Sequence, residues 1–530
     1  MKHFLFLITL FLSLSSFSQN PDKSELFVEP KNWSKLIQLK NKNTFLLEVT
    51  PKDGLNAILF NEKRKIVSNG KLTFTLIKDK LVQSTIAGIY EIGGDPVIFY
   101  NTYFERIPVL IRVIIDGKTG KVKSEEKIAE MGAITVGNAY GAAFGDTEMP
   151  SISVEKDPES EYYALAIFDS FAPDTKDRIE VVHFNPSHQI INRAKYRDPN
   201  NKYKYTNFLS LYVNKDEYVT MSTYAFNTKK SGGEDGRFFV SQLSKGKTTF
   251  VQTELEYKGF YKKSDCLFVY NKPLSRIEMI LINAADSKSD DVSYDIVFQS
   301  VNPKTLVVSK PYRPDLSAAR TYYKEQMKRK NEFNGMIQGC AISKTGNLVL
   351  LIQTTNLVQS SSGFQFTFLS DVAVLTISPE GKTISTNVIP IAYQRAGSHG
   401  AFSYLHVNKG IKGVPIYQGG FANEQYFHMQ LFSGADSEIL LANNTQENIN
   451  KPDTEKPNLV KAISGCSAIK YTLKKGSVSK ETLFGDAGKE KGAQFCNFSA
   501  SDYNAESKTY AMLVIDPKVK MSFVSWLKME

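Results

Sequence analysis

The feature that most constrains this chain is a repeated hairpin. An apolar alternating run, a tight turn rich in Gly, Asn, Pro and Lys, and a second, more charged run recur seven times, beginning at Asn56, Leu110, Arg178, Arg237, Ser293, Asp371 and Ala468. The starts lie about 54 to 97 residues apart. Before most copies come two further strand-like runs joined by a short turn, such as SISVE from Ser151 with EYYALAIFD from Glu161, or FLSLYV from Phe208 with EYVTMSTY from Glu217. Each unit therefore has four strands. Period-two alternation with β-branched and aromatic side chains dominates, and 3.6-residue periodicity is almost absent, so the chain reads as all-β.

One four-stranded sheet cannot bury both of its faces, and a head-to-tail series of them solves this by packing blade against blade around an axis. On these units the chain resembles a secreted β-propeller over residues 45–530, with about seven blades. Six or eight remain open, because the stretch from His399 to Gly485 resists registering. The resemblance is architectural: the WD repeat, the kelch glycine period and the sialidase-type Asp box are missing, and Trp33 and Trp526 are the only tryptophans. It assigns no functional family. Two incomplete ends, FLLEVT from Phe45 with the hairpin at Asn56 and the C-terminal runs CNFSAS, TYAMLVID and MSFVSWL, are expected to share one blade, closing the ring and removing open edges. Residues 19–44 are then an N-terminal extension.

Composition narrows the class. With 530 residues, 42% hydrophobic and 23% charged, the chain can bury a large core, which excludes disorder, collagen and coiled coil. The start, Met1 to His3, then an apolar run from Phe4 to Leu14, then SSFSQN, has the zones of a signal peptide over residues 1–18, with Ser16 and Ser18 at the small-residue positions and Gln19 first in the mature chain. That run is too short to span a bilayer. A periplasmic or extracellular destination is expected. The net charge of +10, from 65 basic and 55 acidic residues, is scattered through turns rather than gathered in a stripe, so no nucleic-acid partner is expected. The four cysteines permit either small buried thiols or a Cys466–Cys496 disulfide.

Up-and-down order places the A–B and C–D turns of every blade on one face and the longer B–C and D–A connections on the other. Long loops on a rigid scaffold are the usual place for recognition. The D–A connections end nearest the axis, which makes Tyr140, Asp146, Arg313, Tyr393, Arg395 and His399 the ligand-binding candidates. His399, His406 and His428 cluster in sequence but have no acidic partner at metal-ligand spacing, so no metal site is assigned to them. No cofactor is expected; calcium is the one ion the acidic loops suit, through Asp169, Asp174 and Asp177 or Asp286, Asp290 and Asp291, though neither has EF-hand order. The nucleophile elbow GxSxG is missing, and Ser467 with Lys470 lies in a strand pattern. No catalytic residue is assigned.

Two segments break the β texture. Residues 315–332 read as a surface helix, with Leu316, Ala319, Tyr323 and Met327 on one face and Arg320, Lys324, Lys328 and Arg329 on the other. Residues 443–462 read as a mobile polar insertion. The functional expectation is an exported binding module for a protein, peptide or glycan through its long-loop face. The alternatives are a hydrolase or lyase acting on polysaccharide at the axis, and an assembly scaffold.

Overall fold

The computed structural model describes residues 22–529 apart from 51–53, 77–83, 139, 141–148, 173–177, 199–200, 228–235, 258–263, 286–292, 360–364, 397–398, 409–423, 435 and 485–492. Eight antiparallel sheets follow one another along the chain, each strand pairing with the next. They are blade 1 (34–71), blade 2 (85–130), blade 3 (151–195), blade 4 (205–254), blade 5 (264–301), blade 6 (336–389), blade 7 (430–482) and blade 8 (495–528). The protein is an eight-bladed β-propeller.

Blade 3 illustrates why these sequences form blades. Its second and third strands, Tyr163–Phe168 (YALAIF) and Ile179–Phe184 (IEVVHF), are buried almost throughout, because a blade's middle is covered on both faces by its neighbours. Its outer strand, Ile190–Lys195, alternates toward solvent. Several of the hairpin turns that mark the repeat share one device, a side-chain oxygen that caps its own turn. Asp116 Oδ1 accepts from the backbone N–H of Lys118 (3.0 Å) and Thr119 (2.7 Å), and Gly120 closes the turn at φ +71°, a conformation that penalises a side chain. Asn302 Oδ1 does the same for Lys304 and Thr305 in blade 5. Separate apolar cores fill the gaps between blades, for example Phe45, Leu47, Ile98 and Ile111 between blades 1 and 2, and Val240, Met279 and Val297 between blades 4 and 5.

The termini do share a blade, but with different residues from those expected. Asp22–Lys23 and Phe27–Val28 pair with Met521–Lys528 and complete blade 8 as its outermost strand. The strand at Phe45 and the hairpin at Asn56 instead join Ser34–Gln38 in a complete blade 1. That extra blade is the difference between seven and eight. The propeller therefore takes in strands from residues 22–44, within the stretch expected to be an extension. Phe27 is buried against Phe60 (5.6 Å between ring centroids), and Trp526 Nε1 donates to Thr44 Oγ1 at 3.1 Å, so the closing strand is tied to blade 1.

Both insertions differ from expectation. The helix is shorter, an α turn at Ser317–Thr321 widening into a π turn at Tyr322–Gln326, and Lys328 ends it at φ +50°. Ala319, Tyr323 and Met327 do enter the core, but Arg329 is no solvated cation: it pairs with the buried Asp371 through Nε at 2.9 Å. Residues 443–462 are pinned. Asn443 and Asn444 end the strand Glu438–Thr445, Asn443 Nδ2 donates to the carbonyls of Tyr426 and Cys496 (2.8 and 2.7 Å), and Asn448 exchanges hydrogen bonds with Asn458 across the loop. Among the described residues no helix is long and apolar enough to cross a membrane.

Candidate functional site

The innermost strand of each blade runs from the long-loop face toward the short-turn face, so its last residues ring the axis beside the A–B turns. At that end lies a cavity of about 560 Å³. Its wall is built from the strand ends of blades 1 to 6 and blade 8, with Lys35 and Gln38, Tyr90 and Glu91, Glu155 and Lys156, Tyr270, and Asp502 supplying the polar surface. A helix, Ser403–Asn408, packs against the inner strands of blades 6 and 8 and closes the floor with Leu405. Tyr404 anchors that helix by donating to Gln353 Oε1 at 2.8 Å. Below the floor a smaller space of about 300 Å³ opens toward the long-loop face, lined by Ser153, Ser210, Asp265 and His406. Glu155, Leu211 and Leu267 border both spaces.

The funnel's charges act on one another. Lys35 is buried between the inner strands of blades 1 and 8, where its ammonium donates to the Ser501 carbonyl. Burial pushes it down to about 8, against the pull of Asp502. Burial also raises the Asp502 carboxyl, although Lys35 and the Gln38 N–H stabilise its charge. Glu91 is raised and Lys156 lowered, again by burial first, and each feels the other. Tyr270 adds a half-buried aromatic surface, backed by the buried Tyr212 in a near-parallel stack (5.6 Å, 26°). The exposed Tyr503 lines the same cavity, so the wall offers carboxylate acceptors, ammonium donors and aromatic faces to one bound molecule. On the far side of the floor, Asp265 faces the channel and is ringed by protein, which pushes its carboxyl up to about 6.

None of these funnel residues was a candidate from the sequence. Tyr140 is exposed on the connection between blades 2 and 3, and Asp146 lies outside the described residues. Arg313 sits at the outer edge of blade 5, held by Asp295 at 2.7 and 3.0 Å. Tyr393 is core, its ring stacked on Phe427 (4.8 Å, 15°) and its hydroxyl donating to the Asn443 carbonyl. Arg395 and His399 do come together, at 2.6 Å between Nη1 and Nδ1, and His428 shares the ring of Tyr404 with His399. Burial, then Arg395, holds His399 well below its ordinary value and His428 at about 3, so both rings are neutral. His406 is separate, in the lower space.

Of the two states the sequence left open, the structure has the buried thiols and not the Cys466–Cys496 bridge. All four cysteines are free thiols, and the two belong to different core clusters, Cys466 among residues of blades 6 to 8 and 1, Cys496 against Met512 Sδ at 3.6 Å. Among the described residues no three His, Cys, Asp or Glu side chains gather as metal ligands; Asp174, Asp177, Asp286, Asp290 and Asp291 lie outside them.

No family model and no curated protein matches the chain. Similar solved structures include the polysaccharide lyase Uly1 (TM-score 0.38, 8% identity, 87% of this chain and 93% of that one). An ulvan lyase of family PL25 bound to a GlcA–Rha3S unit gives 0.39 at 10% identity, over 82% of this chain and 90% of that one. The WD40 domain of SCAP from fission yeast gives 0.33 at 6% identity, over 95% and 98%. Likeness at this level accompanies the propeller fold and carries no argument about function.

Proposed function

We propose that the protein is a binding module whose axial funnel, on the short-turn face, holds a glycan that is neutral overall. The observation that carries this reading is the convergence of Lys35, Glu91, Lys156, Tyr270 and Asp502, from four blades and the closing blade, on one cavity. A sugar ring offers hydroxyls that both donate and accept, and apolar C–H faces that rest on an aromatic ring, so it uses all three kinds of surface present. Charge argues against a polyanion: the lining carries Lys35, Lys40 and Lys156 against Glu91, Glu155, Asp157, Asp502 and Glu506. The recognition surface is thus moved from the long-loop face, where the sequence placed it, to the opposite one.

The test is calorimetric titration of neutral oligosaccharides into the mature chain and into Tyr270→Ala. Binding that weakens about tenfold or more in the variant supports the reading. Equal binding by both proteins, or none by either, contradicts it.

A second reading rests on Glu91 and Asp502, two burial-raised carboxyls in one cavity, Asp502 acting on Glu91. Paired carboxyls are the minimum equipment for glycosidic hydrolysis. Release of new reducing ends from the same oligosaccharides, abolished by Asp502→Asn, would select this reading over simple binding.

A further inference from the structure

The funnel does not end at the axis. On the same short-turn face a groove of about 750 Å³ lies between blades 8 and 1, and its lining includes Gln38, Lys40, Asn504 and Glu506, which also line the funnel. From these shared residues it runs outward past the A–B turns of both blades, over Lys42, Thr44 and Ser507, to Glu62, Arg64 and Asp22 at the rim. A blade is four strands wide, and three spacings of about 4.8 Å make the run about 14 Å long. The funnel is one end of a continuous, open trough.

The trough is possible because the ring closes here. Blade 8 takes its outer strand from the other end of the chain, and the seam is bridged at depth by Gln38 to Asp502 (backbone N to Oδ2, 2.8 Å) and by Trp526 to Thr44, and at the outer end by the ion pairs Arg64–Asp22 (3.8 Å) and Lys65–Glu25 (3.3 Å). The floor is the buried Trp526 with Arg64 stacked on it at 4.1 Å. The groove carries both signs of charge: Asp22, Glu62 and Glu506 against Lys40, Lys42, Arg64 and Lys528. Lys42 pairs with Glu62 at 2.7 Å, both exposed, so these groups are hydrated and can exchange partners at little cost. The one large aromatic of the groove, Trp526, is buried, and the donors and acceptors along its lining suit a hydroxylated polymer.

Building on the glycan reading of the funnel, we infer that the ligand is a linear chain: its end sits in the funnel and its following units lie outward in the trough between blades 8 and 1. The site then recognises chain ends, because Leu405 and the helix Ser403–Asn408 close the funnel floor and stop a chain from threading through the axis. Affinity rises with chain length until the trough is full, and then stays constant.

The experiment is titration of cello-, malto- and xylo-oligosaccharides of two to six units into the mature protein and into Ser507→Trp. Ser507 is exposed and uses only its backbone in the hydrogen bonds of its turn, so the bulky side chain blocks the trough without disturbing the fold. Circular dichroism and melting temperature check that this holds. For the series that binds, the expected result is an affinity about tenfold or more higher for the hexamer than for the dimer in the wild type, and a length-independent affinity at the dimer's value in the variant. Length-independent binding in the wild type would overturn the trough while leaving the funnel reading intact. Failure of all three series to bind would overturn both.

Discussion

Gln38 and Asp502 stand 464 positions apart in the chain and are joined by a backbone N–H to carboxylate hydrogen bond of 2.8 Å, with Gln38 Nε2 donating in turn to the Asp502 carbonyl at 3.0 Å. They tie the first inner strand of the ring to the last. The same carboxylate balances Lys35 at the funnel wall, so ring closure and the polar surface of the funnel are built from one set of side chains.

Asp502→Ala should therefore weaken the fold as well as the site. It leaves the Gln38 N–H without its acceptor and Lys35 without its nearest counter-charge, an expected cost of about 1–3 kcal/mol. Urea denaturation reads this as a lower midpoint at unchanged slope; an unchanged midpoint would mean the seam does not depend on this contact.

Removal of the closing strand should be more severe. Phe27 is buried against Phe60 in the core that spans blades 6 to 8 and 1, and Phe27→Ala is expected to cost about 3 kcal/mol. A chain beginning at Pro30 would also expose the edge of Met521–Lys528, and it is expected to aggregate on mild heating. A truncated chain that melts like the full one would show that blade 8 does not need residues 22–28.

Acid should destabilise the protein through its buried histidines. His428 is held at about 3 and His399 well below its ordinary value, while in the unfolded chain each titrates near 6.5. Above that value both states are neutral and no difference arises; as pH falls below it, the unfolded chain takes up protons that the fold refuses. Stability is then lost at about 1.4 kcal/mol per pH unit for each ring, down to the folded value. Denaturation at pH 7 and pH 5 should show the loss, and His428→Gln should show less of it. Equal slopes for variant and wild type would remove His428 from this explanation.

The thiols should be inert in the native state. Burial pushes Cys266 and Cys466 up to about 12 and raises Cys496 well above the ordinary thiol value, so few thiolates are present at neutral pH. Non-reducing peptide mapping should find four free cysteines, with alkylation of the three buried thiols fast only after unfolding. A Cys466–Cys496 cross-linked peptide would contradict the separate core positions of these two residues.

The fold was legible where local chemistry repeats. Turns such as Asp116–Gly120 and the runs before them announce a hairpin through residues that must be what they are, and seven of the eight blades carry such a hairpin. What was illegible lacked that local signature. The inner strand Ser34–Gln38 is five residues with a lysine at its second position, and its burial follows only from packing against Phe495–Asn504. Asn443 and Asn444 look like loop residues because asparagine favours turns, yet their amides are spent on partners far along the chain.

The site was hidden for a related reason. Lys35, Glu91, Lys156 and Asp502 read as ordinary charges near strand ends, and only the ring sets them face to face. For Glu91, Lys156 and Asp502 the available signal was a common position, a charged residue at or near the close of a unit's first strand, in YEIGG, VEKD and SDYN; Lys35, second in its strand, lacked even that. Weight placed on loop length favoured the opposite face, and it drew attention to Tyr393, whose strand Tyr393–Ala396 instead extends blade 6.

The most direct test of the account is a crystal structure of the protein with a bound hexasaccharide from the series that titrates most tightly. The expected density begins against Tyr270 in the funnel and continues outward between blades 8 and 1 past Ser507. A sugar seated instead on the long-loop face, in the space beside Asp265 and His406, would contradict the placement of the site on the short-turn face.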